Sequence, residues 1–172
     1  MNSKLFQVKS ISNSINHRLV ISFALILLMT IFAPLLQNQI ITGTIINSLL
    51  VLSVFMFGLS GALLLVFLPS VISLFLGFLP IAMTPMVPFI ILGNIIFVLF
   101  VNSLKNKYWI GCISGVLAKS GFLFISSYLL FTYFAGGMSV KVLSSMMGYI
   151  QLLTASLGIV LVYPIIKALK KF

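Results

Sequence analysis

Long apolar stretches, separated by short polar or glycine- and proline-rich breaks, are the main pattern along this chain. A helix needs about 20 consecutive apolar residues to cross the ~30 Å hydrocarbon core of a membrane. The breaks divide the chain into stretches of about that length, which predict six membrane-spanning helices. The predicted spans are residues 19–36, 44–57, 62–78, 87–104, 109–134 and 147–166.

The second and third spans are separated only by Gly58, Ser60 and Gly61. Without a break there, residues 44–79 would form one helix of about 54 Å, at ~1.5 Å per residue, which is far longer than one crossing needs. A tight turn at residues 58–61 is therefore the more economical interpretation. The pattern as a whole predicts an all-α integral membrane bundle of six helices.

The composition of the chain also indicates an integral membrane protein. Of its 172 residues, 62% are apolar and only 6% are charged, whereas soluble domains carry about 25% charged residues. All ten charged residues are Lys or Arg, and there is no Asp or Glu. This excludes carboxylate acid–base pairs and carboxylate metal sites, and one His with one Cys cannot form a zinc site. We therefore expect neither enzymatic activity nor a metal or other cofactor.

The positive charges predict the orientation of the bundle, because cytoplasmic loops of membrane proteins are enriched in Lys and Arg. With six spans and a cytoplasmic N-terminus, most of the ten cations lie on the cytoplasmic side. These are Lys4, Lys9, Arg18, Lys105, Lys107, Lys167, Lys170 and Lys171. The sequence thus predicts one domain, residues 1–172, in which cytoplasmic segments 1–18 and 167–172 flank a bundle of residues 19–166. The charge also predicts contact with anionic lipids of the inner leaflet rather than with nucleic acid.

Lys119 is the one charged residue inside a predicted span, close to the middle of the fifth. A central Lys makes insertion of a membrane helix less favourable by about 2.5–3.5 kcal/mol, and the chain offers no acidic partner. Four arrangements are open at this point. Lys119 loses its proton in the apolar surroundings, hydrogen-bonds to Asn, Ser or backbone carbonyls, extends to the cytoplasmic surface without a role, or pairs with an anionic group of a ligand or another subunit.

Uncharged polar residues of different spans share one level, the outer half of the membrane. They are Gln37, Asn38, Gln39, Thr42, Thr44, Asn47, Asn94, Tyr149, Gln151 and Thr154. Polar side chains gathered at one level favour a small-molecule cavity that opens outward. The alternative is a set of interhelical hydrogen bonds, each worth about 0.6 kcal/mol.

Several short motifs resemble the substrate-binding S components of energy-coupling factor (ECF) transporters, and small Firmicute S components are the most similar. The motifs are Ala33-Pro34, Ile41-Thr42-Gly43-Thr44-Ile45-Ile46-Asn47, Leu68-Pro69-Ser70, the stretch 79–90 followed by Gly93-Asn94, and Ala118-Lys119. The resemblance covers most of residues 19–166. It implies a bacterial plasma-membrane protein that binds a vitamin-like or other small solute on its outer side. A transmembrane coupling subunit and two ATPase subunits would supply the energy for uptake.

In this family the first loop, the fourth span, the fifth loop and the sixth span usually line the solute site. Mapped onto this chain, the resemblance implies that the substrate-binding residues are Asn38, Thr42, Asn47, Asn94, Lys119, Tyr149 and Gln151.

Docking on the coupling subunit is expected at Ala24, Gly111 and Gly115. Gly111 and Gly115 form a GxxxG motif, which allows close helix contact within a chain or between subunits. Many family members carry an AxxxA motif in the first helix, whereas here bulky Leu28 lies between Ala24 and Ala33.

The alternative function is that of a structural membrane protein of the rod-shape MreD type, which has a similar length and needs no ligand cavity.

Overall fold

The structure, a computed structural model, describes residues 2–78, 81–134 and 146–169. The predicted cytoplasmic cations Lys170 and Lys171 lie outside the described residues. The main helices are α1 (Asn2–Phe32), α2 (Gln39–Val66), α3 (Leu68–Phe75), α4 (Val87–Ser103), α5 (Tyr108–Phe134) and α6 (Gln151–Leu169). Shorter 3₁₀ segments (Ala33–Leu36 and Ile81–Met86) and a π-helical turn (Met146–Ile150) precede α2, α4 and α6.

Five helical segments are long and apolar enough to cross a membrane. They are His17–Leu36, Gln39–Phe75, Met83–Ser103, Tyr108–Tyr133 and Met147–Leu169. The chain is therefore an all-α, multi-pass membrane protein, as predicted. The second predicted span and most of the third lie in the 37-residue segment Gln39–Phe75.

This long segment is interrupted at Gly58, whose φ of 72° and ψ of −168° are not helical. Such a combination is essentially restricted to glycine, because a Cβ atom would collide with the backbone. Asn47 and Ser70, on either side of Gly58, line the same cavity. A straight helix would hold them about 35 Å apart. The chain therefore turns back at Gly58, within the stretch where the sequence predicts a tight turn.

One apolar core joins α2, α4, α5 and α6. Leu50, Phe97 and Val162 are among its fully buried members. Large apolar side chains also cover the outside of the bundle, as at Leu64 and Leu161, which are more than half exposed. An outer surface this apolar is suited to lipid rather than to water.

Four of the described cations, from α1, the α4–α5 turn and α6, lie at one end of the bundle. Leu19, Phe55 and Leu169 line a common crevice there, which brings the start of the first span beside the end of α6. Tyr108 packs on Phe55 and on Tyr163, with ring centroids 5.7 Å and 5.1 Å away. The cations at this end are Arg18, Lys105, Lys107 and Lys167. Aromatic rings beside cations are typical of a membrane–water interface.

Candidate functional site

A cavity of about 690 Å³ lies at the opposite end of the bundle. Its lining comes from the α1–α2 turn and from α2 to α6. The polar or charged lining residues are Gln37, Asn38, Gln39, Thr42, Asn47, Ser70, Ser73, Asn94, Lys119 and Gln151. Small-molecule sites typically occupy about 300–1,000 Å³. Because the exposed side chains of Gln37 and Gln39 belong to the lining, the cavity reaches the protein surface.

Lys119 of α5 and Asn47 of α2 meet at the buried side of the cavity. Lys119 Nζ donates a hydrogen bond of 2.6 Å to Asn47 Oδ1. Nζ also lies 5.5 Å from the centroid of the Phe97 ring, within cation–π range. Because Lys119 is only 2% exposed, its side chain does not extend to the aqueous surface. It hydrogen-bonds to a polar neighbour instead. Of the four arrangements that the sequence left open, the structure therefore excludes extension to the cytoplasmic surface.

Further hydrogen bonds fix the direction of the Asn47 amide. Asn47 Nδ2 donates to the carbonyl of Gly43 at 2.8 Å and to Thr154 Oγ1 at 3.4 Å. Thr154 Oγ1 donates in turn to the carbonyl of Gln151 at 3.3 Å. An amide nitrogen only donates and an amide oxygen only accepts, so these contacts present Oδ1 to Lys119. The network joins α2, α5 and α6 beneath the cavity.

Asn94 of α4 lines the same cavity. Its Nδ2 donates to the carbonyl of Val66, the last residue of α2, at 3.4 Å. Its Oδ1 has no hydrogen-bond partner among the described residues, although the side chain is only 3% exposed. A buried acceptor without a donor is unfavourable by about 1–3 kcal/mol. A donor from a molecule in the cavity would therefore stabilise this site.

At the mouth of the cavity, Asn38 and Thr42 hold the α1–α2 turn together. Asn38 Oδ1 accepts from the backbone N–H groups of Ile40 and Ile41, both at 3.1 Å, and so caps α2. Thr42 Oγ1 donates to the carbonyl of Ala33 at 3.1 Å. Both side chains border the cavity, and these contacts engage Asn38 Oδ1 and the hydroxyl proton of Thr42 with the backbone.

Six of the seven predicted substrate-binding residues line this one cavity: Asn38, Thr42, Asn47, Asn94, Lys119 and Gln151. Tyr149 is 71% exposed and is not part of the lining, so its role stays a prediction. Ser70 and Ser73 also line the cavity, from α3, but they were not among the predicted substrate-binding residues. Their i, i+3 spacing places them on one face of a helix, and this spacing could have indicated that they lie together.

The predicted docking residues lie in two different environments. Gly111 and Gly115 are buried where α5 packs on α4, and a Cβ atom added at Gly115 would lie 2.9 Å from Phe97 Cδ2. The GxxxG motif thus allows close packing within the chain. Ala24 is exposed on α1. A docking role for these residues stays a prediction.

A comparison of the chain with protein-family models, curated proteins and solved structures finds no match. A function is therefore inferred from the geometry of the cavity. Its lining combines the ammonium donor of Lys119 and Asn94, whose Oδ1 has no donor among the described residues, with apolar side chains. This combination is suited to holding a small molecule in one orientation.

Proposed function

We propose that this chain is the membrane-embedded substrate-binding subunit of a solute-uptake system, of the type of the S components of ECF transporters. The observation that supports it most is the cavity of about 690 Å³, with Lys119, Asn47 and Asn94 at its buried side. Small-molecule sites combine apolar walls with a few convergent polar groups in the same way. A structural protein of the MreD type has no need for such a cavity.

The positions of the charges support a direction for binding. The reversal at Gly58 divides the segment Gln39–Phe75 into two arms and so favours six crossings, with both chain ends on one side. Arg18, Lys105 and Lys107 mark that side as cytoplasmic under the positive-inside rule. The cavity then opens on the outer face of the bacterial plasma membrane, where a vitamin-like or other small solute arrives.

The energy for transport would come from partner subunits. The chain has no acidic residue, so it supplies neither the Asp that holds Mg²⁺ in an ATPase nor a carboxylate proton relay. A coupling subunit and two ATPase subunits would provide this function, and Ala24 is an exposed position at which the coupling subunit could dock. Anionic lipids would bind the cytoplasmic cations.

Mass spectrometry of the solute that copurifies with the full-length chain tests this proposal. One small molecule is expected at close to one per chain. Ile46→Trp, which fills the cavity, should abolish its retention. Leu161→Trp, on the lipid-facing surface, is the matched control and should retain it. Equal retention by both variants, or no bound solute and no stabilisation by any added one, would contradict a binding subunit and favour a structural role.

A further inference from the structure

The ammonium group of Lys119 has more hydrogen-bonding capacity than the described residues use. It carries three N–H donors, and its one hydrogen bond among the described residues goes to Asn47 Oδ1. The chain contains no Asp or Glu, so no side chain of this protein can neutralise the charge. A buried cation without a counter-charge is strongly unfavourable, and this one borders a cavity large enough for a guest. A negatively charged group in the cavity would supply both the missing acceptors and the missing charge.

A second and independent observation comes from α4. Asn94 is one of the lining residues of the same cavity, and its buried Oδ1 has no donor among the described residues. Buried carbonyl oxygens are almost always hydrogen-bonded. The guest is therefore expected to carry an N–H or O–H donor in addition to the group that faces Lys119.

The walls of the cavity indicate what the rest of the guest is made of. Beside its polar groups the cavity is lined by apolar side chains, among them Ile46, Leu76, Phe78, Met83, Val87, Ile90 and Met147. An inorganic ion would leave these side chains without a partner, whereas an organic body would bury apolar surface against them.

From these three observations we propose that the solute is an organic anion. Its carboxylate or phosphate group accepts hydrogen bonds from Lys119, and its own N–H or O–H donates to Asn94. The inference rests on the proposed binding function and adds the chemical class of the substrate. Carboxylates and phosphates share the chemistry of a charged oxygen acceptor, so the experiment separates them.

The test measures binding to the purified full-length chain in zwitterionic nanodiscs by calorimetry and thermal shift. The probes are mandelate and its neutral amide, and phenyl phosphate and phenol. In the wild-type chain at least one anion should bind about tenfold or more tightly than its neutral counterpart, because a hydrogen bond to a charged group is worth more than one between neutral groups. The anion that binds better decides between carboxylate and phosphate.

Variants assign the effect to the two residues. Lys119→Met should weaken binding of the anion about 30-fold or more and change binding of the neutral probe less than about threefold. Asn94→Leu should weaken binding of mandelate and its amide by similar factors, since both carry the donor hydroxyl. Ser120→Ala, at a buried neighbour that is not part of the lining, should change neither.

The outcomes separate this inference from the proposed function. Neutral probes that bind as tightly as the anions would overturn the anion inference and leave the binding subunit intact. No binding of any probe would overturn both. Displacement of the bound anion by phosphatidylglycerol in the nanodisc would identify a lipid headgroup as the ligand and overturn a soluble solute. The comparison of anion and neutral probe uses only the wild-type chain, so it stands even where a variant does not fold.

Discussion

Gly158 of α6 lies against Asn47 of α2 so closely that a Cβ atom added to the glycine would come within 2.9 Å of the Asn47 Cβ atom. The same added atom would lie 3.1 Å from the backbone oxygen of Thr44. The carbonyl of Gly158 also accepts a hydrogen bond from Ser48 Oγ at 3.1 Å. The small residue therefore sets the distance between α2 and α6 at the level where Asn47 holds Lys119.

Gly158→Ala is expected to destabilise the protein by about 1–3 kcal/mol, because the methyl group forces α6 away from α2. The displacement of Asn47 should also weaken solute binding. Thermal unfolding in detergent measures the first effect. The matched control is Gly121→Ala on α5, where an added Cβ atom meets nothing within 4 Å and a small gain in stability is expected. Equal melting temperatures for the two variants would contradict the close packing.

The Lys119–Asn47 hydrogen bond should appear as coupling in a double-mutant cycle. Asn47→Leu alone leaves the buried ammonium without its acceptor and should be strongly destabilising. In a Lys119→Met background the same substitution should be milder by about 1–3 kcal/mol, because no charge is left to pair. Additive effects of the two substitutions on the free energy of unfolding would argue against a direct bond.

Two buried serines of α5 should respond oppositely to removal of their hydroxyl groups. Ser120 Oγ has no hydrogen-bond partner in the described part of the chain, so Ser120→Ala should stabilise the protein by about 1 kcal/mol. Ser127 Oγ donates to the carbonyl of Phe124 at 2.9 Å, so Ser127→Ala should be destabilising by about 0.5–1.5 kcal/mol. Chemical unfolding of the two variants in parallel provides the comparison. A loss of stability in Ser120→Ala would indicate an acceptor, such as a water molecule, for this hydroxyl.

The proposed six crossings can be tested, because they predict which side of the membrane each turn reaches. A cysteine at Ser60, beside the reversal, should react with a membrane-impermeant maleimide only in inverted vesicles, as should one at Asn106. A cysteine at Gln39 should react only in intact cells. The native Cys112 is fully buried and gives the unlabelled background. A cysteine at position 60 that fails to react from the cytoplasmic side, while the one at position 106 does, would contradict a turn at Gly58.

Hydropathy was sufficient to predict an all-α protein that crosses the membrane several times, because the length of an apolar stretch is set by the thickness of the membrane. The reversal at Gly58 was predictable for the same reason, since one crossing cannot use 37 residues. The directions of side chains were harder to predict. In a helix that is apolar on all sides, the sequence does not distinguish the face that packs against other helices from the face that contacts lipid. The sequence alone therefore does not show that the Phe97 ring lies beside Lys119, with its centroid 5.5 Å from Nζ.

Polar residues were informative where they are rare. Asn47, Asn94 and Lys119 interrupt apolar spans, and all three line the cavity. Tyr149 falls at the same level, but it lies in the π-helical turn before α6 and its side chain is exposed. The wider turn of a π-helix changes the direction of its side chains relative to an α-helix. A sequence pattern read with the ordinary helical period does not include that change.

The turn at Gly58 also has a consequence for biosynthesis. Between Gln39 and Phe75 the chain carries no Lys or Arg, and its two arms are joined without a hydrophilic loop. Neither arm therefore carries positive charges that would hold one of its ends on the cytoplasmic side, so neither arm has an orientation signal of its own. We expect the two arms to leave the translocon together, as a hairpin whose orientation is decided by the charged segments synthesised before and after it.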